Sequence, residues 1–201
     1  LGPFAFTSAR SFVACVFLIV TYFIFKNSKV VADIHSYSIR RTVKGGLICG
    51  VAFTFSVNLQ QIGLVYTTAG KAGFITALYI VFIPIIGLLF GKKLDKKLTL
   101  CIITAMVGTY IMSVKGEFRI NKGDFIVFLS SITFAIHLML MAEFSKDTDS
   151  IILSFIQFLV CGIISGIIAY MGEDIKIEAI LKSYITILYV GILSSGVGFT
   201  L

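Results

Sequence analysis

The sequence predicts an all-α membrane protein, a polytopic helical bundle, and three observations predict it. Of the 201 residues 58% are hydrophobic and the mean hydropathy is +1.02, above the roughly 45–50% apolar share of soluble domains. Seven apolar stretches follow one another, most of them near the ~20 residues a helix needs to cross a bilayer. The charged residues collect between these stretches, where water is available to them.

Taken in order, the first stretch covers residues 3–25 and carries one charge, Arg10. The second, 45–66, carries none. The third, 69–90, opens on Ala69-Gly70-Lys71-Ala72-Gly73 and holds Pro84; a proline at that depth predicts a kinked span, tolerated where neighbours satisfy the freed carbonyl. Lys92, Lys93, Lys96 and Lys97 fix its far end in water. The fourth to seventh stretches cover 98–114, 124–142, 151–171 and 184–201. A buried helix of a soluble core explains any one of them but not seven in series. Tyr22, Tyr66, Tyr110, Tyr170 and Tyr184 lie near stretch ends, where amphipathic rings prefer to sit. Cys15, Cys49, Cys101 and Cys161 fall within apolar runs and form no CxxC pair, so they read as free, buried thiols and not as metal ligands. No secretory signal is visible, and the chain opens and closes inside apolar stretches, which reads as a fragment cut at both ends.

Connections between successive spans alternate sides, so their cations predict orientation. Lys26, Lys29, Arg40, Arg41, Lys44, the lysines at 92, 93, 96 and 97, and Lys146 share one side. Lys71, Lys115, Arg119, Lys122, Lys176 and Lys182 share the other, poorer side. The richer side is cytoplasmic by the positive-inside rule, and the first span runs from outside to inside. The net charge of +7 is thus a topology signal and not the footprint of a nucleic-acid partner.

An internal repeat is detectable. A shift of 146 residues lays 45–55 (GGLICGVAFTF) on 191–201 (GILSSGVGFTL), with identity at Gly45/Gly191, Leu47/Leu193, Gly50/Gly196, Val51/Val197, Phe53/Phe199 and Thr54/Thr200. The two copies lie five spans apart, so they cross the membrane in opposite senses. Inverted-topology repeats are a hallmark of secondary transporters.

The span opened by Pro3 to Arg10, the sequence Leu64-Val65-Tyr66-Thr67-Thr68-Ala69, and Phe74-Ile75-Thr76-Ala77-Leu78-Tyr79 with Pro84 running into Lys92-Lys93 carry a family resemblance. Gly123-Asp124 and Gln157 fit the same pattern. The chain resembles the EamA-type branch of the drug/metabolite transporter superfamily over essentially its whole length. The resemblance implies a ten-helix carrier fold of two inverted five-helix repeats. It implies that residues 1–115 are the first repeat without its first helix. Residues 123–201 would be the second, ending after its third. The acidic residue that many members carry after the fourth helix has no counterpart in the Lys92-Lys93-Leu94-Asp95 stretch.

Polar groups inside the hydrocarbon need a partner or a role. Thr54, Asn58 and Gln61 fall at i, i+4, i+7 on one face of the second span, with Gly50. Thr76 and Tyr79 are i, i+3 neighbours in the third. Ser130, Thr133 and His137 share a face of the fifth, and Ser154, Gln157 and Cys161 a face of the sixth. Each stripe serves either helix–helix hydrogen bonding, about 0.6 kcal/mol per contact, or a solvated central cavity; Asn58, Gln61, Tyr79 and Gln157 together favour the cavity. His137 is either a proton-coupling group or a satisfied interior histidine. Gly162 and Gly166 form either a dimer face or a close contact within the bundle, and Gly70, Gly73 and Ala77 are expected to serve close packing. Arg10 and Lys71 lie toward the outer ends of their spans without an acidic residue mid-span. They pair with a segment outside this sequence, snorkel outward, or receive an anionic substrate.

The function class that follows is a secondary carrier of a small polar metabolite such as an amino acid. The partners are that small-molecule substrate, the lipid bilayer and a coupling ion, proton or sodium. Localisation is multi-pass in the cell membrane, and the resemblance implies export. No cofactor or metal is expected. An enzyme is disfavoured, since no HExxH, GxSxG or glycine-rich phosphate loop occurs and Asp147-Thr148-Asp149 reads as a solvated turn. A non-transporting membrane scaffold is the alternative from another class, and an integral-membrane transferase a more distant one.

Overall fold

The structure is a computed structural model that describes residues 1–25, 38–91, 96–113, 121–174 and 177–198. Lys26, Lys29, Lys92, Lys93, Lys115, Arg119, Lys176, Val114 and the 199–201 end of the repeat lie outside the described residues. The order is α1 (Pro3–Phe25), α2 (Ile39–Leu64), α3 (Ala69–Ala77), α4 (Tyr79–Leu89), α5 (Lys96–Ser113), α6 (Lys122–Phe144), a 3-10 turn (Ser145–Asp147), α7 (Ser150–Gly172), α8 (Ile177–Lys182), α9 (Tyr184–Tyr189) and a π-helical segment (Val190–Val197). The described residues are helical throughout apart from their turns and connections.

Five of these stretches are long and apolar enough to cross a membrane: Pro3–Ile24, Ile39–Leu64, Ala69–Leu89, Lys122–Asp147 and Ser150–Gly172. The fourth and seventh stretches expected as spans are shorter when described. Their apolar cores cover Thr99–Gly108 and Tyr184–Ser194, because Lys96 and Lys97 open one helix and the other changes from α to π at Val190. The third stretch is interrupted at Leu78, where the Leu78 N–H turns to the Ile75 carbonyl, and Pro84 lies inside α4. The break thus lies more than one turn before the proline, whose ring crowds the carbonyl of residue i−4 and disturbs the turn ahead of it.

Two compact units can be described, Leu1–Thr54 with Leu140–Leu201, and Phe55–Met139. In the first, α1 and α7 pack antiparallel. Phe4 and Ala5 donate their N–H groups to Oε1 and Oε2 of Glu173, both at 2.9 Å. Further along, Ser8 Oγ donates to the Gly162 carbonyl at 2.9 Å and Cys15 Sγ lies 3.8 Å from the Phe155 carbonyl. Gly162 faces the Phe12 ring and Gly166 faces Ser8, so this small-residue pair is a contact within the bundle. The burial pattern of α1 is that of a helix in lipid: Thr7, Ser11, Ala14 and Leu18 are buried, whereas Val16 is 62% and Phe23 67% exposed. Small and hydroxyl-bearing residues pack between helices, and bulky apolar ones remain for the acyl chains.

On the same unit α2 runs parallel to α7. Gly46 abuts Ile156, Gly50 abuts Gln157 and Val160, and the Phe53 and Phe158 rings meet edge to face at 5.2 Å. Asp149 caps α7, accepting from the N–H groups of Ile151 (2.8 Å) and Ile152 (3.0 Å), while Asp147 pairs with Arg41 at 2.9 Å. The two carboxylates of this turn therefore have separate structural duties, and Thr148 and Asp149 are buried, where a solvated turn was expected.

In the second unit Ala72, Ile75 and Val127 form a buried cluster beneath Leu64, Phe74 and Leu78. Gly73 has open space around it, so the packing expected of it falls to Ala72. Cys15, Cys49 and Cys161 are buried free thiols, whereas Cys101 is exposed on α5, contrary to expectation.

Candidate functional site

The first unit holds Arg10, Thr54 and Gln157 of the residues singled out by the sequence. All three are buried. Arg10 lies on α1 at 8% exposure with its guanidinium 5.9 Å from the centroid of the Phe6 ring. A helical side chain leans toward the N-terminus, and one turn back from Arg10 is Phe6. Thr54 donates Oγ1 to its own helix at the Gly50 carbonyl, 2.6 Å away. Gln157 lies on the facing helix beside Gly50. Ser154, Cys161 and Ser165 are buried on the same helix as Gln157, as their spacing predicts.

The second unit holds Asn58, Gln61, Lys71, Thr76, Tyr79 and His137. Asn58 and His137 are buried; Gln61, Lys71, Thr76 and Tyr79 are half-buried. Thr76 accepts from Gln60 Nε2 at 2.9 Å, so α2 reaches α3 through Gln60 and not through Gln61. Lys71 sits in the first turn of α3, where Thr68 is the N-cap and Thr68 Oγ1 accepts the Lys71 backbone N–H at 3.4 Å. Four buried atoms lack a hydrogen-bond partner among the described residues: Asn58 Oδ1, Ser130 Oγ, His137 Nδ1 and Gln157 Nε2. Asn58, His137 and Gln157 engage neighbours through other interactions.

Asp124 was not among the residues singled out as a site. It is buried in the first turn of α6, donates its N–H to Asn121 Oδ1 at 2.9 Å, and accepts from the Asn121 N–H at 3.0 Å. This reciprocal pair is a capping box. The second carboxylate oxygen takes the Thr67 hydroxyl, which ties the turn after α2 to the start of α6. The Asn121-Lys122-Gly123-Asp124 spacing ahead of an apolar run was the available signal.

Among the described residues no group of three His, Cys, Asp or Glu side chains is arranged to hold a metal ion. Taken by itself, the first unit offers a buried guanidinium, a hydroxyl and an amide, and the second offers amides, hydroxyls and an imidazole, all of them hydrogen-bonding groups.

Comparison with known proteins gives three results. The model of the EamA-like transporter family matches residues 1–114 and again 121–201. An uncharacterized transporter of Archaeoglobus fulgidus is 30% identical over 167 residues, which is 83% of this chain and 48% of the relative. The chain therefore spans about half the length of that curated relative. A protein of known crystal structure superposes on all of the chain with a TM-score of 0.72 at 13% identity, over 68% of its own length, which speaks to the fold alone.

Proposed function

The chain belongs to the EamA-like transporter family, and on that basis we propose that the full-length protein is a secondary carrier exporting a small polar metabolite, such as an amino acid, across the cell membrane. The observation that carries this reading is the inside-out distribution of polarity. Arg10, Asn58, His137 and Gln157 are buried within their helices, while large apolar side chains such as Val16, Phe55 and Ile111 stand exposed. Transport proceeds by alternating access between two inverted repeats, residues 1–115 and 123–201, with coupling to a proton or sodium ion.

Two observations support the repeat. The family model matches the two halves separately. The 146-residue shift also lays α1 on α7, with identity at Ser8/Ser154, Phe12/Phe158 and Cys15/Cys161, and these two helices pack antiparallel. Arg10, Thr54, Asn58, Gln61, Lys71, Thr76, Tyr79, His137 and Gln157 line the substrate path in this reading.

The experiment is flux in proteoliposomes holding the full-length protein, screened with amino acids and related organic compounds. Flux above protein-free liposomes supports a carrier; a screen without any such compound removes the reading. Gln157→Leu is expected to lower flux roughly tenfold by removing a buried polar contact to substrate. Thr21→Val is expected to leave flux within about twofold, because the Thr21 hydroxyl bonds the Phe17 carbonyl of its own helix and the residue lies outside the path. Equal losses in both would assign Gln157 a packing role.

Orientation is tested with an impermeant thiol reagent on intact cells, in a background without native cysteines. Thr68→Cys is expected to label and Lys96→Cys to resist. The reverse pattern would invert the topology.

A further inference from the structure

We propose that Arg10 is the recognition point for an anionic group on the transported metabolite, most simply a carboxylate; the inference rests on the carrier reading above and names its substrate class. Arg10 is a fixed charge, since the guanidinium stays protonated in proteins. It lies seven residues into α1, about 10 Å along the axis from Pro3. At 8% exposure it does not reach the lipid-facing surface, where Phe12 of the same helix is 44% exposed. Snorkelling to the membrane face is therefore not how this charge is accommodated.

Nor is it paired. Among the described residues Arg10 forms no ion pair; its guanidinium stands over the Phe6 ring and lies within electrostatic reach of the Cys161 thiol, neither of which is a counter-charge like a carboxylate. The carboxylate nearest the same end of α1, Glu173, is committed to the Phe4 and Ala5 N–H groups. The hydroxyls along α1 are committed too: Thr7 donates to the Pro3 carbonyl, Ser11 to the Thr7 carbonyl and Ser8 to the Gly162 carbonyl. What remains is a planar fork of N–H donors backed by an aromatic face.

That arrangement suits a carboxylate in two respects. The fork binds both oxygens side by side, with geometry a point charge such as lysine lacks. The Phe6 ring stabilises the cation when no anion is present, so the site tolerates release of its ligand as well as capture. Permanent neutralisation by a protein carboxylate would hold the guanidinium shut; a substrate carboxylate supplies the counter-charge only while bound.

The test uses the purified full-length protein and two matched pairs of probes, L-leucine with L-leucinamide and succinate with succinamide. Binding is read by ligand-induced thermal stabilisation and transport by counterflow in proteoliposomes. The wild type is expected to be stabilised by, and to move, at least one of the carboxylates tenfold better than its amide. Arg10→Gln is expected to abolish that preference, with carboxylate flux falling at least tenfold and amide flux little changed. Arg10→Lys should retain the preference with weaker binding, and Phe6→Leu, which removes the ring that stabilises the unliganded cation, should strengthen carboxylate binding severalfold without affecting the amide. Normal accumulation in the membrane is established first, and if Arg10→Gln does not accumulate, Arg10→Lys and Phe6→Leu carry the same comparison. Equal loss of carboxylate and amide, undiminished carboxylate transport in Arg10→Gln, or a wild type that binds neither carboxylate overturns the proposal. Arg10-dependent carboxylate binding without flux would leave it standing and remove the carrier reading. Flux of a neutral solute that is indifferent to Arg10 would do the opposite.

Discussion

Gly123→Val is expected to destabilise the protein by about 3 kcal/mol and to remove most of it from the membrane fraction, the largest effect of any single substitution considered. The reason is that the walls around Gly123 are backbone. A Cβ placed there lies 2.6 Å from the Gly63 carbonyl oxygen and 2.8 Å from the carbonyl carbon of Tyr66. No rotamer change relieves either contact, so the ends of α2 and α6 must separate. Gly63 sits in the reciprocal position, its own Cβ being 3.0 Å from the Gly123 carbonyl oxygen. Separation also strips Asp124 of the Thr67 hydroxyl, because that bond spans the same junction. Gly123→Ala should lose about 1–3 kcal/mol by the same clash. Gly73→Val is the control, with nothing within 4 Å of its Cβ position, and is expected to stay within about 0.5 kcal/mol of the wild type. Thermal unfolding of the detergent-solubilised full-length protein, together with membrane abundance, measures all three. A Gly123→Val protein as stable as Gly73→Val would mean that the α2–α6 junction contributes little.

How much of this was legible in the sequence depends on the range of the interaction. Burial of Thr7, Ser11 and Leu18 against exposure of Val16 and Phe23 follows from helical spacing, since lipid and protein select different side chains for the two faces of one helix. The buried face of Ser154, Gln157 and Cys161 was legible for the same reason. Caps at Asp124 and Asp149 had local signals, an acceptor just ahead of, or inside the first turn of, an apolar run. The third stretch was legible as an interrupted span, Ala69–Leu89, but not the place of the interruption, since a proline marks a region of weakened hydrogen bonding and not the residue at which the backbone turns, here Leu78. Gln60 was overlooked in favour of Gln61, since a face drawn from i, i+4, i+7 spacing does not say which neighbouring side chain reaches across to Thr76. Contacts between residues far apart in the chain left no trace in local pattern. Glu173, 169 residues from Phe4, reads in the sequence only as a charge ending a span.

Glu173→Ala is expected to cost about 2–3 kcal/mol, the second large effect, because two charge-assisted hydrogen bonds disappear together. The first N–H groups of a helix have no partner within it, and a negative charge there is further favoured by the helix dipole. In α1 that task is done by a carboxylate from the end of α7, whose two oxygens each take one N–H at 2.9 Å. The contact therefore both caps one helix and fastens it to another. Gly2 makes it possible, since a Cβ at that position would lie 2.1 Å from Glu173 Cδ. Gly2→Ala should consequently displace the carboxylate and reproduce part of the Glu173→Ala loss. Glu173→Gln should fall between wild type and alanine, as its amide retains one oxygen acceptor and no charge. The decisive comparison is the double variant Gly2→Ala/Glu173→Ala. If the side chain at 2 acts through the carboxylate, the double variant should be no less stable than Glu173→Ala alone, and the amides of Phe4 and Ala5 should exchange faster with solvent in all variants that lose the contact. Additive losses, or unchanged exchange at Phe4 and Ala5, would show that α1 is fastened by its packing on α7 and not by this cap.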